Sequence, residues 1–302
     1  MWFWLSLAAL LCWSGSDLFS KLGCQSSEEK YSHLKMLSAV GLVMGLHAVY
    51  ELSFGGVTLN AQTLFAYLPV SALYILSMAT GYLGLKYIEL SISSPICNSS
   101  GAIVAVLIFA TAGFGGLPPF ALCAVALVCT GVLLLGITEA NEDEELRRLR
   151  QDEGNHRYTK SALAIILPII YCFLDALATF SDTKVLQRIS EDSANVAYEL
   201  TFFAVGLFCA VFVFGIKKQK LTPKTDTKKL TGAVFETAGQ FAYIYALADT
   251  AHSALSAPII SAYCVASVLW GRVFLKEKLS KKHYAALALV VIGIVILGIL
   301  DV

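Results

Sequence analysis

The chain has 302 residues, 57% of them hydrophobic and only 15% charged, with Lys+Arg and Asp+Glu balanced at 22 each. Soluble domains run at about 45–50% apolar and about 25% charged, so this composition, with a mean hydropathy of +0.70, excludes a chain built around one water-excluded core. The even charge balance argues for no nucleic-acid partner, and the apolar runs argue for a lipid bilayer as solvent.

Crossing about 30 Å of hydrocarbon takes about 20 apolar residues in a helix. That ruler predicts ten spans near 2–23, 34–54, 63–85, 91–112, 118–138, 161–184, 194–216, 230–249, 253–275 and 282–300. The runs do not alternate polar with apolar residues, as a barrel strand would, so the protein is expected to be all-α. Met1-Trp2-Phe3-Trp4 carries neither a basic leader nor a cleavage site, and the first span is read as retained. Seven of the eight cysteines lie within apolar runs and read as small core residues; Cys24 falls in an expected loop.

Ionisable groups inside spans are expensive and so face protein or a wet cavity. In the first span Asp17 and Lys21 stand four apart on one helical face and can pair; they are candidates for a gate or a proton-coupling site, or for a purely structural pair near the helix end. Trp13, beside the small-residue run Gly15-Ser16, is fit to line a cavity. His47 and Glu51 follow in the second span, where an interior histidine or a proton relay are both open. The fourth span carries Pro95 amid Ser93, Ser94, Asn98, Ser99 and Ser100. Asp175 lies in the middle of the sixth span and Asp182 near its end, with Glu199 in the seventh. In the eighth, Glu236, Gln240 and Tyr243 fall at i, i+4 and i+7, a stripe that suits a substrate cavity or an interhelical polar seam. The ninth carries Pro258 and Tyr263.

The two prolines belong to a repeat. A shift of 163 residues lays Ser93-Ser94-Pro95-Ile96 on Ser256-Ala257-Pro258-Ile259 and Tyr82 on Tyr245; a shift of 162 lays Gly131 on Gly293 and Gly136 on Gly298. Two halves of five spans are expected, 1–138 and 161–302, joined by the charged segment 139–160. An odd number of spans per half makes the repeats inverted. The charges agree in parity: of the 22 Lys and Arg residues, all but Lys184 and Arg188 fall beside odd-numbered loops. The positive-inside rule makes those loops cytoplasmic, with both termini outside. Prolines at matching points of inverted repeats can free backbone groups for a ligand, unless each merely occupies a first helical turn.

The run Ala254-Leu255-Ser256-Ala257-Pro258-Ile259, the turn Phe274-Leu275-Lys276-Glu277-Lys278-Leu279-Ser280 and the glycine-bearing last span Ile292–Gly298 resemble the drug/metabolite transporter superfamily, of the EamA-like ten-helix kind. The first half keeps the proline motif and departs at the Glu turn, where it reads Gly113 to Pro119. The resemblance implies two halves around a central cavity whose access alternates, and names no substrate.

The expectation is therefore a secondary transporter of a small metabolite, such as an amino acid, an amine or another small organic solute, in the plasma membrane. The alternative is a membrane receptor or scaffold that binds a small ligand without moving it. Trp13, Asn98, Asp175, Glu236, Gln240 and Tyr263 are the candidate substrate-binding residues, with Asp17, Lys21, Pro95 and Pro258 as candidates for gating or proton coupling. If transport is proton-coupled, Glu236 or Asp175 is the expected carrier. No catalytic set, P-loop, metal-ligand pattern or cofactor motif is present in the sequence, and monomer and homodimer are left open.

Overall fold

The computed structural model describes residues 1–24, 29–87, 90–113, 118–140, 162–275 and 279–300. Among them every regular element is helical: α1 (Trp2–Cys24), α2 (Ser32–Ser53), α3 (Ala61–Leu85), α4 (Leu90–Asn98), α5 (Ser100–Ala112), α6 (Pro119–Ala140), α7 (Ala162–Val185), α8 (Glu191–Ala210), α9 (Pro223–Ala248), α10 (Ser253–Ser261), α11 (Tyr263–Phe274) and α12 (Lys281–Leu300). A six-residue π-helix, Val211–Ile216, extends α8. Eight stretches are long and apolar enough to cross a membrane, α4–α5 and α10–α11 each counting as one. This is an integral membrane protein.

Three helix starts follow from local chemistry. The Asn60 side chain accepts from the Thr63 N–H at 2.7 Å and opens α3. Ser190 caps α8, whose first turn carries Glu191 and Asp192 against the positive end of the helix dipole. At α9, Pro223 occupies the first turn and Asp226 reaches back to accept from the Thr222 N–H at 2.7 Å. That start lies well before the expected residue 230. The Lys-rich stretch read as loop is helical from Pro223 onward, because a proline start and the Asp226 cap set the boundary where hydrophobicity does not. Cys24, expected in a loop, is the buried last residue of α1.

The α4–α5 and α10–α11 stretches are each broken once, by Ser99 and by Ala262. The Ser99 N–H donates to both Pro95 O and Ile96 O; the Ala262 N–H donates to both Pro258 O and Ile259 O. Each of these positions in the second half is its first-half counterpart shifted by 163. Both prolines are the sixth residue of their half-helix, not a first-turn residue.

Packing pairs one half with the other. α1 lies along α9 and α3 along α7; α2 crosses α8 and α6 crosses α12; α5 packs on α10 and α4 on α11. Small residues permit the closest crossings. A Cβ on Gly41 would come within 2.8 Å of the Gly206 Cα, and one on Gly206 within 2.8 Å of the Gly41 Cα. At the α6–α12 crossing, a Cβ on Gly131 would meet Val290 Cγ2 at 2.5 Å and Ala286 O at 2.9 Å. One on Gly293 would meet Val128 Cγ2 at 2.7 Å and Ala124 O at 2.8 Å. Such interfaces are driven by close van der Waals approach, since lipid offers no hydrophobic gain. The outward faces are apolar, as in Val291, Ile292, Val295 and Ile299 of α12, while serines 6, 14, 16 and 20 of α1 are buried.

Candidate functional site

At the centre, α1, α3, α4, α7, α9 and the α10–α11 pair enclose a cavity of about 60 Å³, with Tyr198 of α8 completing its wall. Trp13, Asn98, Asp175, Glu236, Gln240 and Tyr263, singled out from sequence, all line it, and so does Asp17. Lys21, Pro95 and Pro258 do not. Lys21 donates to Leu85 O at 2.9 Å, beneath the cavity wall. The prolines stand behind it, on half-helices whose last turns contribute Cys97, Asn98, Ile260 and Ser261. Asp17 and Lys21, four residues apart, thus turn to different partners, because buried serines on two other helices satisfy the carboxylate.

The cavity holds three carboxylates. Asp17 Oδ2 accepts from Ser94 at 2.6 Å and Ser267 at 2.8 Å, tying α1 to both broken spans. Asp175 Oδ2 accepts from Ser100 at 2.7 Å, and Glu236 Oε2 from Ser16 at 2.7 Å. Each donor is a neutral hydroxyl, and no Lys, Arg or His occurs among the described lining residues. Asn98 donates to Ser94 O at 2.8 Å and holds the last turn of α4.

Aromatic rings make most of the remaining wall. The Trp13 ring lies 5.0 Å from that of Tyr243 and 5.8 Å from that of Tyr263. It fits against Gly239, where a Cβ would fall 2.4 Å from its Cδ1. Tyr74, Tyr82, Tyr171 and Tyr198 add further faces. Three polar groups in this wall lack a hydrogen bond among the described residues: the Tyr82 hydroxyl, the Gln240 amide nitrogen and the Trp13 indole N–H, which lies near Glu236 but outside bonding geometry. Buried polar groups seldom go unpaired, so these three call for a partner such as water or a ligand.

Two flanking polar clusters differ in kind. The Tyr67 hydroxyl donates to Asp182 Oδ1 at 2.7 Å, and Tyr74 joins Thr179 at 3.1 Å and the Tyr243 hydroxyl. Toward the first turn of α2 lies an ionic cluster. Glu29 bonds Lys35 and, at 2.7 Å, Lys229; Asp226 bonds Lys229 at 2.9 Å and approaches Lys35 at 3.7 Å. Lys86 donates to the carbonyls of Glu29 and Lys30 at 3.1 Å, and its partial burial holds that ammonium below the usual lysine range. Away from the cavity, His47 Nδ1 meets Glu199 at 2.8 Å and its Nε2 lies 3.6 Å from Glu51.

Sequence reading named Ser16, Ser94 and Ser100 without their carboxylate partners, and it assigned no individual α3 residue to the cavity. The α3 wall had a signal: Tyr74, Met78, Gly81, Tyr82 and Leu85 fall at i, i+4, i+7, i+8 and i+11, one face of a helix. The serine pairings join residues up to 250 positions apart and leave no local trace.

Residues 162–299, α7 to nearly the end of α12, match the model of the EamA-like transporter family. By sequence, the second half is similar to this family. This agrees with the drug/metabolite transporter resemblance carried by the proline motif and the glycine-bearing last span; the turn at 276–278 lies outside the described residues. No curated protein sequence matches the chain. A solved structure titled "Crystal structure of protein" shares the fold, with a TM-score of 0.64 at 14% identity, over 98% of this chain and 96% of that one. The EamA-like match thus covers the second half by sequence, while the fold likeness spans both. The matched family is described as one of transporters.

Proposed function

We propose that the protein is a secondary transporter that carries a small organic solute across the plasma membrane by alternating access around the central cavity. In this reading α9 and α12 also cross the membrane, giving ten spans in two inverted halves, 1–138 and 161–302, with 139–160 as the joining segment. One observation carries it: the six main pairings between the halves are kept when the halves are exchanged. The α1–α9 contact becomes α7–α3, α4–α11 becomes α10–α5, and α2–α8 and α6–α12 map onto themselves. The Gly131–Val290 and Gly293–Val128 contacts are counterparts under the 162-residue shift. Two equivalent ways of tilting one half against the other are what alternating access needs, and a cavity on the shared axis is where such sites lie.

Trp13, Asn98, Asp175, Glu236, Gln240 and Tyr263 then contact the solute. Asp17 joins them, and the breaks after Pro95 and Pro258 serve as hinges. The Lys- and Arg-rich odd-numbered loops face the cytoplasm. A solute that raises the melting temperature of the purified protein and also enters protein-containing vesicles supports this reading. A solute that stabilises the protein yet shows no flux or counterflow in those vesicles replaces it with the receptor reading.

A further inference from the structure

We infer that the solute held in the central cavity is an organic cation of the ammonium type, a reading that rests on this cavity being the transport site proposed above. Asp17, Asp175 and Glu236 bring three carboxylates to one enclosed space, and the described lining residues supply no positive side chain. Their protein donors are serine hydroxyls, which orient a carboxylate without neutralising it. A carboxylate in low-dielectric surroundings stays charged only with a counter-charge beside it. In the ionic cluster beside α2 the need is met internally: Glu29 and Asp226 are matched by Lys35 and Lys229. In the cavity the counter-charge is left for the ligand to bring.

The wall decides which cation. Aromatic faces attract a positive group within about 6 Å of the ring centre, most strongly when it is stripped of water. Trp13, Tyr243 and Tyr263 form a contiguous ring cluster beside Glu236 and Gln240. A hard metal cation would want converging oxygens instead, and no group of three His, Cys, Asp or Glu side chains among the described residues could hold one. The Tyr82 hydroxyl and the Gln240 amide are at least nine-tenths buried and unpaired, and both line the cavity. They offer hydrogen bonds to a polar substituent on the cation. An anion would meet three carboxylates, and a neutral solute would leave all three without a counter-charge.

Four probes of nearly one shape test the charge alone: choline, its neutral carbon isostere 3,3-dimethylbutan-1-ol, the zwitterion betaine and the anion 3,3-dimethylbutyrate. Binding is read by thermal shift and calorimetry on the full chain in detergent micelles. The expected result is choline binding at least about tenfold tighter than each of the others. Glu236→Gln and Asp175→Asn should each weaken choline by about tenfold or more, with the exposed Lys224→Gln unchanged. The inference is overturned if choline does not bind, if the neutral isostere matches it, or if betaine or dimethylbutyrate binds as tightly. The wild-type order alone decides the matter should a carboxylate variant fail to fold. Choline that binds but never crosses a vesicle membrane leaves the charge assignment standing and removes the transport reading. Flux of an amino acid or nucleotide sugar without choline binding does the reverse.

Discussion

The central cavity and the ionic cluster beside the start of α2 use the same residue types to opposite ends. In the cluster, Glu29, Lys35, Asp226 and Lys229 neutralise one another, and Lys35 and Lys229 are almost wholly buried. In the cavity, Asp17, Asp175 and Glu236 have neutral donors only. The first arrangement holds α2, α9 and the segment before α2 together. The second leaves electrostatic demand unmet in the resting protein. A buried charge pair that is complete fixes structure, and an incomplete one is free to respond to a ligand.

Breaking the complete set should have the largest effect. Removing one partner of a buried ion pair costs about 3–5 kcal/mol, because the other charge stays buried and uncompensated. Glu29→Gln should therefore destabilise the protein by about 3 kcal/mol in denaturant titrations in micelles. Glu236→Gln should do the opposite in the absence of ligand, leaving stability equal or higher, since it relieves an unmatched charge. Equal losses from the two variants would erase the distinction between the regions.

The glycine crossings test the symmetry that frames both regions. Gly131→Ala and Gly293→Ala each push a methyl against a backbone carbonyl and a valine of the opposite half. Overpacking of this kind costs about 1–3 kcal/mol. Because the contacts are reciprocal, the two losses should agree within about 0.5 kcal/mol. A cost at one position and none at the other would show that the α6–α12 crossing is not two-fold.

Helix positions were largely legible from sequence because a membrane span needs a run of apolar residues, and such a run is local information. Boundaries set by polar chemistry were not: Thr222, Pro223 and Asp226 start α9 within a stretch that hydrophobicity assigns to a loop. The cavity stripe Glu236, Gln240 and Tyr243 was visible as a period, and all three residues line one space. Partners were invisible. Asp17 and Lys21 have pairing geometry along one helix, yet Asp17 bonds Ser94 and Ser267 while Lys21 bonds Leu85 O. Proximity along a helix competes with proximity in the bundle, and only the fold decides which prevails.

Two tyrosines of α3 carry the comparison down to a single hydroxyl. Tyr67 and Tyr82 are both buried, at 0% and 6% exposure. Tyr67 donates to the Asp182 carboxylate at 2.7 Å, whereas the Tyr82 hydroxyl has no partner among the described residues. Tyr67→Phe leaves a buried carboxylate short of a donor and should cost about 1.5 kcal/mol. Tyr82→Phe removes a polar atom that gains nothing from the fold, so stability should stay within about 0.5 kcal/mol or rise slightly. Because the ring is kept, choline affinity should fall less in Tyr82→Phe than in Glu236→Gln. A Tyr82→Phe variant as unstable as Tyr67→Phe would mean that its hydroxyl is already satisfied. The cavity would then present its ligand with carboxylates and rings but without that hydrogen-bonding group.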